Sequence, residues 1–235
     1  MNLNEVLQEL EAMGNPQTKS ILTKHGAQEP FFGVKVGDLK KIVKKVKKDH
    51  ALSLALYETG NGDAMYLASL IADEKQITKE HLQRWVQGAH WYMLSEYAVA
   101  WIAAESRFGW ELGLEWIDSE KEMIATAGWS TLSSYASIKK DEDLDIEVYR
   151  SLLDRVEGTL HDSPNRVRYV MNGFVISVGA YIEALTEHAL TVGENLGKVH
   201  VDMGGTACKV PVATAYIQKI IDKGRIGKKR KMARC

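Results

Sequence analysis

The sequence predicts an all-α protein, and three observations support this fold class. Apolar residues recur three and four positions apart along most of the chain, which is typical of amphipathic helices. Only four prolines occur in 235 residues, and each falls at a predicted helix start or in a linker. Runs that alternate β-branched and polar residues, as strands do, are nearly absent.

The apolar stripes predict helices in succession along the whole chain. The clearest stripe combines Leu39, Ile42, Val43 and Val46 at positions i, i+3, i+4 and i+7, with lysines on the opposite face. The other predicted helices, in chain order, carry stripes that include Leu3 to Leu10, Ala64 to Ile71, Leu82 to Val86, Trp91 to Ile102, Leu112 to Trp116, Leu144 to Val156, Val167 to Tyr181 and Ala213 to Ile221.

Helix-start signals and helix lengths limit the possible architectures. Thr78 precedes the Leu82 stripe and Ser163-Pro164 precedes the Val167 stripe, as capping residues do. Helices of about 10 to 18 residues with short turns can form either a bundle or a superhelix of helical pairs. No strict repeat is visible, although a degenerate repeat of about 40 residues, as in HEAT proteins, is compatible with the spacing.

Composition is that of a globular protein without a membrane segment. Apolar residues make up 45% and charged residues 26% of the chain, and no apolar run approaches the length of a membrane helix. The acidic, helical pattern of residues 1–11 does not resemble a signal peptide. Cys208 and Cys235 are the only cysteines. We therefore expect no disulfide framework and a cytoplasmic location.

Charge is segregated along the chain. The net charge is −1, yet residues 35–48 hold seven lysines against Asp38 alone, and residues 225–235 hold six basic residues and no acid. Each block alone is typical of a solvated helix face or a soluble tail. Together they favour a polyanion partner, because clustered Lys and Arg release counterions from nucleic acid. The acidic remainder also leaves open a basic protein partner.

One segment carries residues suited to binding a flat cation. Tyr92 and Glu96 are four residues apart, so they are expected on one helical face, away from the apolar face of Trp91, Leu94 and Trp101. An aromatic ring attracts a cation by cation–π contact and a carboxylate attracts it by charge. The same pair is equally consistent with an exposed Tyr and Glu without a role.

This segment is one of three features in which the chain resembles the AlkD-like DNA alkylation repair family. The resemblance rests on the Trp91-Tyr92 pair followed by Glu96, on the turn at residues 31–34 leading into residues 37–41, and on the all-helical layout. Members of that family are HEAT-like solenoids, and those studied are DNA glycosylases that excise N3- or N7-alkylated purines. The resemblance covers roughly residues 1 to 225.

The resemblance assigns roles to four positions, and the match is imperfect at each. Tyr92 stands where the family has a Trp that packs on the damaged nucleotide, and Glu96 stands where it has a catalytic Asp. Leu132, three residues after Trp129, replaces an Arg that holds a backbone phosphate. Phe174 stands at a second stacking Trp, although it also fits the apolar stripe of its own helix.

The remaining candidates for DNA contact are basic. Arg166 or Arg168 could supply the phosphate contact missing at Leu132. The predicted DNA-binding residues also include Trp129 and those of the two basic blocks, namely Lys40, Lys41, Lys44, Lys45, Lys48, Lys228, Lys229, Arg230 and Lys231. No cofactor or metal is implied, since a cationic base is already a good leaving group. The spacing of His200, Asp202 and Cys208 matches no standard metal site.

These observations lead to one fold prediction and two functional hypotheses. We expect an all-α, HEAT-like helical-repeat solenoid (an αα superhelix) at residues 1–224, and a mobile basic tail at residues 225–235. We expect a monomer that binds alkylated or distorted double-stranded DNA, nucleoid-associated if bacterial. The first hypothesis is an N-glycosylase that uses Glu96 and Tyr92. The second is a non-catalytic solenoid that recognises damaged, bent or branched DNA. The basic residues are equally compatible with structured RNA as the polyanion that the protein binds.

Overall fold

The computed structural model describes residues 1–234, which are helical throughout their regular structure and contain no β-strand. The α-helices in this range are α1 (Leu3–Met13), α2 (Pro16–Lys24), α3 (Val36–Val46), α4 (His50–Glu58), α5 (Gly62–Ile71), α6 (Lys79–Gly88), α7 (Ala100–Glu105), α8 (Gly109–Trp116), α9 (Glu122–Ile138), α10 (Ile146–Thr159), α11 (Asn165–Tyr181), α12 (Thr186–Leu196) and α13 (Ala213–Asp222). A π-helical turn, Leu94–Val99, leads directly into α7. None of these helices is long and apolar enough to span a bilayer.

The helices stack as two layers, as expected for helical pairs. α5, the π-helical turn with α7, α9, α11 and α13 contact one another in this order and form the inner layer. α4 packs on α5, α8 on α9, and α10 and α12 on α11, so these helices form the outer layer. Each helical pair buries its apolar stripe against the next pair, which is how a solenoid builds a continuous core.

The core consists of two apolar clusters that meet where α8 and α9 pack together. The amino-terminal cluster comprises buried residues from Val6 to Ala127 together with Ala233, and the carboxy-terminal cluster extends from Ile117 to Ile217. Gly128 lies at the junction, where a Cβ atom would stand 2.6 Å from the Ile117 backbone nitrogen. Because of this close approach, α9 contributes residues to both apolar clusters.

The turn at residues 31–34 is held by the carboxylates of Glu29 and Asp63, and the Phe31 N–H donates to Glu29 at 3.2 Å. Asp63, in the first turn of α5, accepts backbone hydrogen bonds from Phe32, Gly33 and Val34 at 2.7, 3.0 and 3.1 Å. Gly33 has a φ of +83°, and a Cβ there would stand 2.6 Å from the Cβ of Lys19. The turn therefore needs glycine, and it places the basic helix α3 against α5.

Helix α3 has the predicted cationic face. Leu39 and Ile42 are buried, whereas the lysines of this helix are exposed. Lys45 Nζ lies 2.6 Å from Glu9, and Lys48, just beyond the helix, pairs with Glu74 at 2.6 Å. The protein's own acids therefore neutralise part of this face.

The carboxy-terminal segment is packed rather than free, contrary to the predicted mobile tail. The Gly227 N–H donates to the Ala180 carbonyl at 3.0 Å, and the Arg230 N–H donates to the Ser137 carbonyl at 2.7 Å. Arg234 is 7% exposed. Its guanidinium donates to Glu105 at 2.8 Å, to the Ser69 and Ala72 carbonyls at 3.0 and 2.9 Å, and to Glu74 at 2.9 Å. Cys235, the last residue of the predicted tail, lies outside the described residues.

We call residues 227–234 the strap, because they run from the end of α11 past α9 to α5 and α7. Like charges along the segment predicted repulsion and mobility. The prediction was wrong because carboxylates and helix-terminal carbonyls on the body of the protein accept these cations. Lys229, for example, donates to the Ala136 and Tyr181 carbonyls at 2.9 and 2.6 Å and pairs with Asp141 at 2.7 Å.

Candidate functional site

Glu96 lies in the π-helical turn, and its carboxylate is buried. Only 3% of its side chain is exposed, although the sequence predicted a face away from the core. A π-helical turn inserts one extra residue and rotates the side chains that follow it, so spacing rules for an α-helix misplace them. Such turns occur frequently at functional sites, which singles out this segment of the inner layer.

The partner of Glu96 is Arg166, in the first turn of α11. Arg166 Nε donates to Glu96 Oε1 at 2.8 Å, and its Nη2 donates to Glu96 Oε2 at 2.6 Å. Both carboxylate oxygens are therefore held by one guanidinium in a bidentate pair. The sequence predicted that Arg166 contacts a DNA phosphate. In the structure its charge is directed into the protein.

Two tyrosines enclose the guanidinium. The Arg166 Cζ atom lies 4.2 Å from the Tyr92 ring centroid and 4.3 Å from the Tyr169 ring centroid. Both distances are well within cation–π range. We call Tyr92, Glu96, Arg166 and Tyr169 the Arg166 cluster. A flat cation is thus bound between aromatic rings and against a carboxylate, as the sequence suggested, but the cation belongs to the protein itself.

Neighbouring contacts fix the positions of the cluster residues. Trp91 Nε1 donates to the His25 carbonyl at 2.8 Å, and the Tyr92 hydroxyl lies 3.1 Å from His25 Nδ1, so this segment is docked on the end of α2. The Arg166 backbone N–H donates to Glu122 at 2.6 Å. A carboxylate at the first turn of α11 also interacts favourably with the helix dipole.

The environment of Glu96 favours its protonated form more than water does. Burial raises the pKa of the Glu96 carboxyl to about 7, and the hydrogen bonds and charge of Arg166 oppose that rise. Burial also raises the pKa of Tyr92 to about 12. A buried ion pair whose desolvation outweighs its attraction does not stabilise the fold. Perturbed carboxyl groups of this kind are concentrated at functional sites.

A groove floored by small polar side chains runs between α9 and α11, beside the cluster. Glu96 and Tyr169 form part of its wall, and its volume is about 240 Å³. We call it the serine groove. Its floor consists of Ser130, Ser133, Ser134, Ser137, Gly173 and Ser177. Short side chains at these positions let a large ligand approach the helices closely.

Three residues of the predicted site lie in the core instead. Trp129 and Phe174 are 1% and 0% exposed, and their rings pack together with centroids 5.0 Å apart. Leu132 is fully buried and packs against Gly113 of α8. Phe174 therefore presents no ring face to a nucleotide, and position 132 does not face the groove. The groove side of α9 is formed by the serines, and that of α11 by Tyr169, Gly173 and Ser177.

Basic residues gather at the strap end of the groove. A hollow of about 520 Å³ is lined there by Lys223, Arg225, Lys228, Lys229 and Arg230. Arg230 and Tyr181 line both the hollow and the serine groove, so the two are continuous. We call this region the basic hollow. Four of its five cations belong to the basic block at residues 225–235 that the sequence predicted to bind nucleic acid, although Arg225 was not named as a contact, and Lys223 was missed.

The other predicted basic residues divide into paired and unpaired groups. Lys41 pairs with Asp38 at 2.8 Å, as Lys45 and Lys48 pair with the acids described above. Lys40 and Lys44 are exposed, as is Lys231 in the strap. Arg168 has a buried Nε without a hydrogen-bond partner among the described residues. Sequence reasoning also missed Tyr169, for which the signal was its position three residues after Arg166 on one helical face.

The segment between α12 and α13 contacts the start of α11 and the end of α2. Asn165, at the start of α11, exchanges two hydrogen bonds with the Asp202 backbone at 2.7 and 2.8 Å. A Cβ at Gly204 would stand 3.1 Å from the Lys24 carbonyl oxygen, so the loop tip reaches the end of α2. Within residues 1–234, His200, Asp202 and Cys208 form no cluster that could hold a metal ion.

A family model described as "DNA alkylation repair enzyme" matches residues 6–215. The chain belongs to this family. It is 35% identical to the uncharacterized protein Lin0241 of Listeria innocua and 36% identical to the uncharacterized protein Lmo0209 of Listeria monocytogenes. Each match extends over 217 residues, or 90% of this chain and 93% of the relative.

A solved structure confirms the predicted HEAT-like fold. It is described as "A new family of proteins related to the HEAT-like repeat DNA glycosylases with affinity for branched DNA structures". The TM-score is 0.91 with 39% sequence identity, and the match covers 100% of both chains. The all-α helical-repeat architecture and the family resemblance are thereby both confirmed.

Proposed function

We propose that this alkylation-repair family member binds branched or distorted DNA, and that it does not excise bases through Glu96. The observation that carries the proposal is the position of Arg166 between Tyr92 and Tyr169, with both oxygens of Glu96 engaged. A carboxylate that stabilises a departing sugar must face that sugar with a free oxygen. Here the cation that Glu96 faces is part of the protein.

The surface beside the cluster supports DNA binding. Hydroxyl-bearing and glycine positions floor the serine groove, and the groove leads to the basic hollow, where Lys223, Arg225 and Lys228 are exposed and Lys229 is paired with Asp141. Lys and Arg that neutralise phosphates provide sequence-independent affinity. Since no base-reading constellation is evident there, we infer that shape and charge determine recognition. The affinity for branched DNA of the similar solved protein supports branched substrates in particular.

The test compares a four-way junction with a linear duplex of the same arm sequence and length. We expect tighter binding of the junction, and an affinity that falls steeply with salt concentration. Reversing charge in the basic hollow, with Arg225→Glu and Lys228→Glu, should weaken binding, whereas the matched control Arg84→Glu, at an exposed position of α6 that lines neither the groove nor the hollow, should not. Equal affinity for junction and duplex would refute the preference for branches.

A second measurement tests the absence of excision. Duplex DNA that carries N7-methylguanine or N3-methyladenine is incubated with protein at concentrations where binding is demonstrable, and free base is quantified. We expect no release above the spontaneous rate. Release that is lost in Glu96→Gln would overturn this part of the proposal and assign base excision to Glu96.

Base excision remains the second candidate function, and family membership favours it. Tyr92 and Glu96 lie in one cluster, so the aromatic and acidic groups that excision would use are present together. A substrate would then have to displace Arg166. Arg166→Ala tests this directly, because removing the guanidinium should increase base release if the cluster is a blocked active site.

A further inference from the structure

A second cavity, of about 420 Å³, lies on the other side of the Arg166 cluster from the serine groove. Arg166 and Tyr92 line this cavity, whereas Glu96 and Tyr169 line the groove, so the cluster separates the two spaces. The remaining walls come from the end of α2, from residues 90 and 91, from Met123 of α9 and from the tip of the loop at 202–204. We call it the His90 cavity.

His90 is the residue of this cavity that requires an explanation. Both ring nitrogens are buried, and neither has a hydrogen-bond partner among the described residues. A neutral imidazole offers one donor and one acceptor. Leaving such a group buried and unpaired costs about 1–3 kcal/mol. Both nitrogens are covered in the structure, so a ligand would supply the missing hydrogen bonds and offset this cost once the imidazole turns toward the cavity.

The lining of the cavity suits one chemical class of ligand. Trp91, Tyr92, Met123 and Met203 offer aromatic rings and polarisable thioethers, which pack well against a flat ring. Lys24 provides positive charge at its edge, whereas the charge of Arg166 is already paired with Glu96 and Asp202 adds an acid to the lining. A flat, polar-edged ring attached to an anion is a nucleotide, in which the base meets the apolar walls and His90, and the phosphate meets Lys24.

We propose that the His90 cavity receives one unpaired nucleotide at a DNA branch point. This inference rests on the proposed function and deepens it. A base within a continuous duplex would have to be unpaired and unstacked first, at a cost of a few kcal/mol, whereas a base that is already unpaired avoids most of that cost. The cavity would therefore favour junctions with unpaired nucleotides over fully paired junctions.

The experiment uses two three-way junctions that differ only by two unpaired thymines at the branch point. Wild-type protein should bind the junction with thymines about 5- to 10-fold more tightly, from one buried base and its hydrogen bonds. His90→Leu should bind both junctions equally. The matched control His50→Leu replaces a second histidine with a buried, unpartnered nitrogen, at the start of α4, and should keep the wild-type preference.

Thermal unfolding separates a binding role from a structural one. Both leucine variants remove unpartnered buried nitrogens, so each should be as stable as the wild type or more stable. A purely structural role for His90 predicts instead that His90→Leu loses stability and keeps the junction preference. That result would overturn the proposal.

Permanganate reactivity of the unpaired thymines provides a readout that needs no variant. The thymines should be reactive in the free junction and should be protected when wild-type protein is bound. If both junctions bind equally and the thymines stay reactive, the cavity proposal fails while the branched-DNA function stands. If neither junction binds more tightly than linear duplex, the proposed function fails, and the cavity proposal fails with it.

Discussion

Arg166 and Glu96 bury one another almost completely, with 13% and 3% of their side chains exposed. Seventy residues separate them in the sequence, and two short hydrogen bonds join them in the fold. Removing one member of a buried pair leaves an uncompensated charge, whereas replacing both members with apolar groups is often neutral. The pair therefore allows a clear energetic test.

We expect Arg166→Ala to lower the free energy of unfolding by about 3–5 kcal/mol, because Glu96 then remains buried without its partner. The double variant Glu96→Leu/Arg166→Met should recover most of that loss. Arg150→Ala removes an exposed pair with Glu147 and should cost less than about 1 kcal/mol. Urea unfolding of the four proteins measures these differences. A double variant that is no more stable than Arg166→Ala would contradict the pairing.

The raised pKa of Glu96 predicts a specific pH dependence. The pKa of the folded carboxyl is about 7 against an ordinary value of 4.5, so between these values the folded state binds the proton that the unfolded state has lost. Stability contributed by Glu96 should therefore fall as the pH rises from about 4.5 to 7, by roughly 1–3 kcal/mol.

Glu96→Gln isolates this contribution, because glutamine does not titrate. We expect the unfolding free energy of the wild type to decline relative to that of the variant between pH 5 and pH 7, and to run parallel to it above pH 8. If the unfolding free energies of the two proteins run parallel over the whole pH range, burial does not raise the pKa of the Glu96 carboxyl.

The strap should stabilise the fold through Arg234. In Arg234→Ala, Glu105 keeps its buried position and loses the guanidinium, so we expect a loss of about 3–5 kcal/mol in unfolding free energy. Lys231→Ala, at an exposed position of the same segment, should change it by less than about 0.5 kcal/mol. Equal effects of the two substitutions would argue against the observed packing.

Helix α3 should contribute to DNA affinity through Lys40 and Lys44, which are exposed and pair with no acid within residues 1–234. Lys40→Glu/Lys44→Glu should weaken junction binding and reduce the slope of log affinity against log salt by about 1 for each phosphate that is no longer neutralised. Lys45 is already paired with Glu9, so Lys45→Ala should have a smaller effect than Lys44→Ala. Fluorescence anisotropy at several salt concentrations measures both quantities. An unchanged slope in the double variant would exclude α3 from the interface.

Much of the fold could be predicted because its determinants are local. The stripe of α3 and the capping residue Thr78 are both observed, since apolar spacing and capping depend on neighbours within one turn. The solenoid arrangement needed the family resemblance, because helix spacing alone is shared by bundles and solenoids.

The candidate site could be predicted only in part. Four-residue spacing predicted Tyr92 and Glu96 on one helical face, and in the structure each of them contacts Arg166. It could not predict that a guanidinium seventy residues away would occupy the space between them, or that a π-helical turn would bury the carboxylate. Leu132 and Phe174 were matched to the site by the family resemblance, whereas their helices turn these side chains toward the core, as the apolar stripe of Phe174 also indicated.

The strap should change the way in which this solenoid unfolds. In a linear repeat protein each repeat touches only its neighbours, and unfolding can proceed from either end. Here Arg234 reaches Glu74 across 160 residues, and Ala233 belongs to the amino-terminal apolar cluster. The chain thus returns to its own first half, so the carboxy-terminal helices cannot detach from it without breaking contacts to α5 and α7. The strap therefore couples the last repeats to the first ones, and we expect all of them to unfold in one cooperative transition.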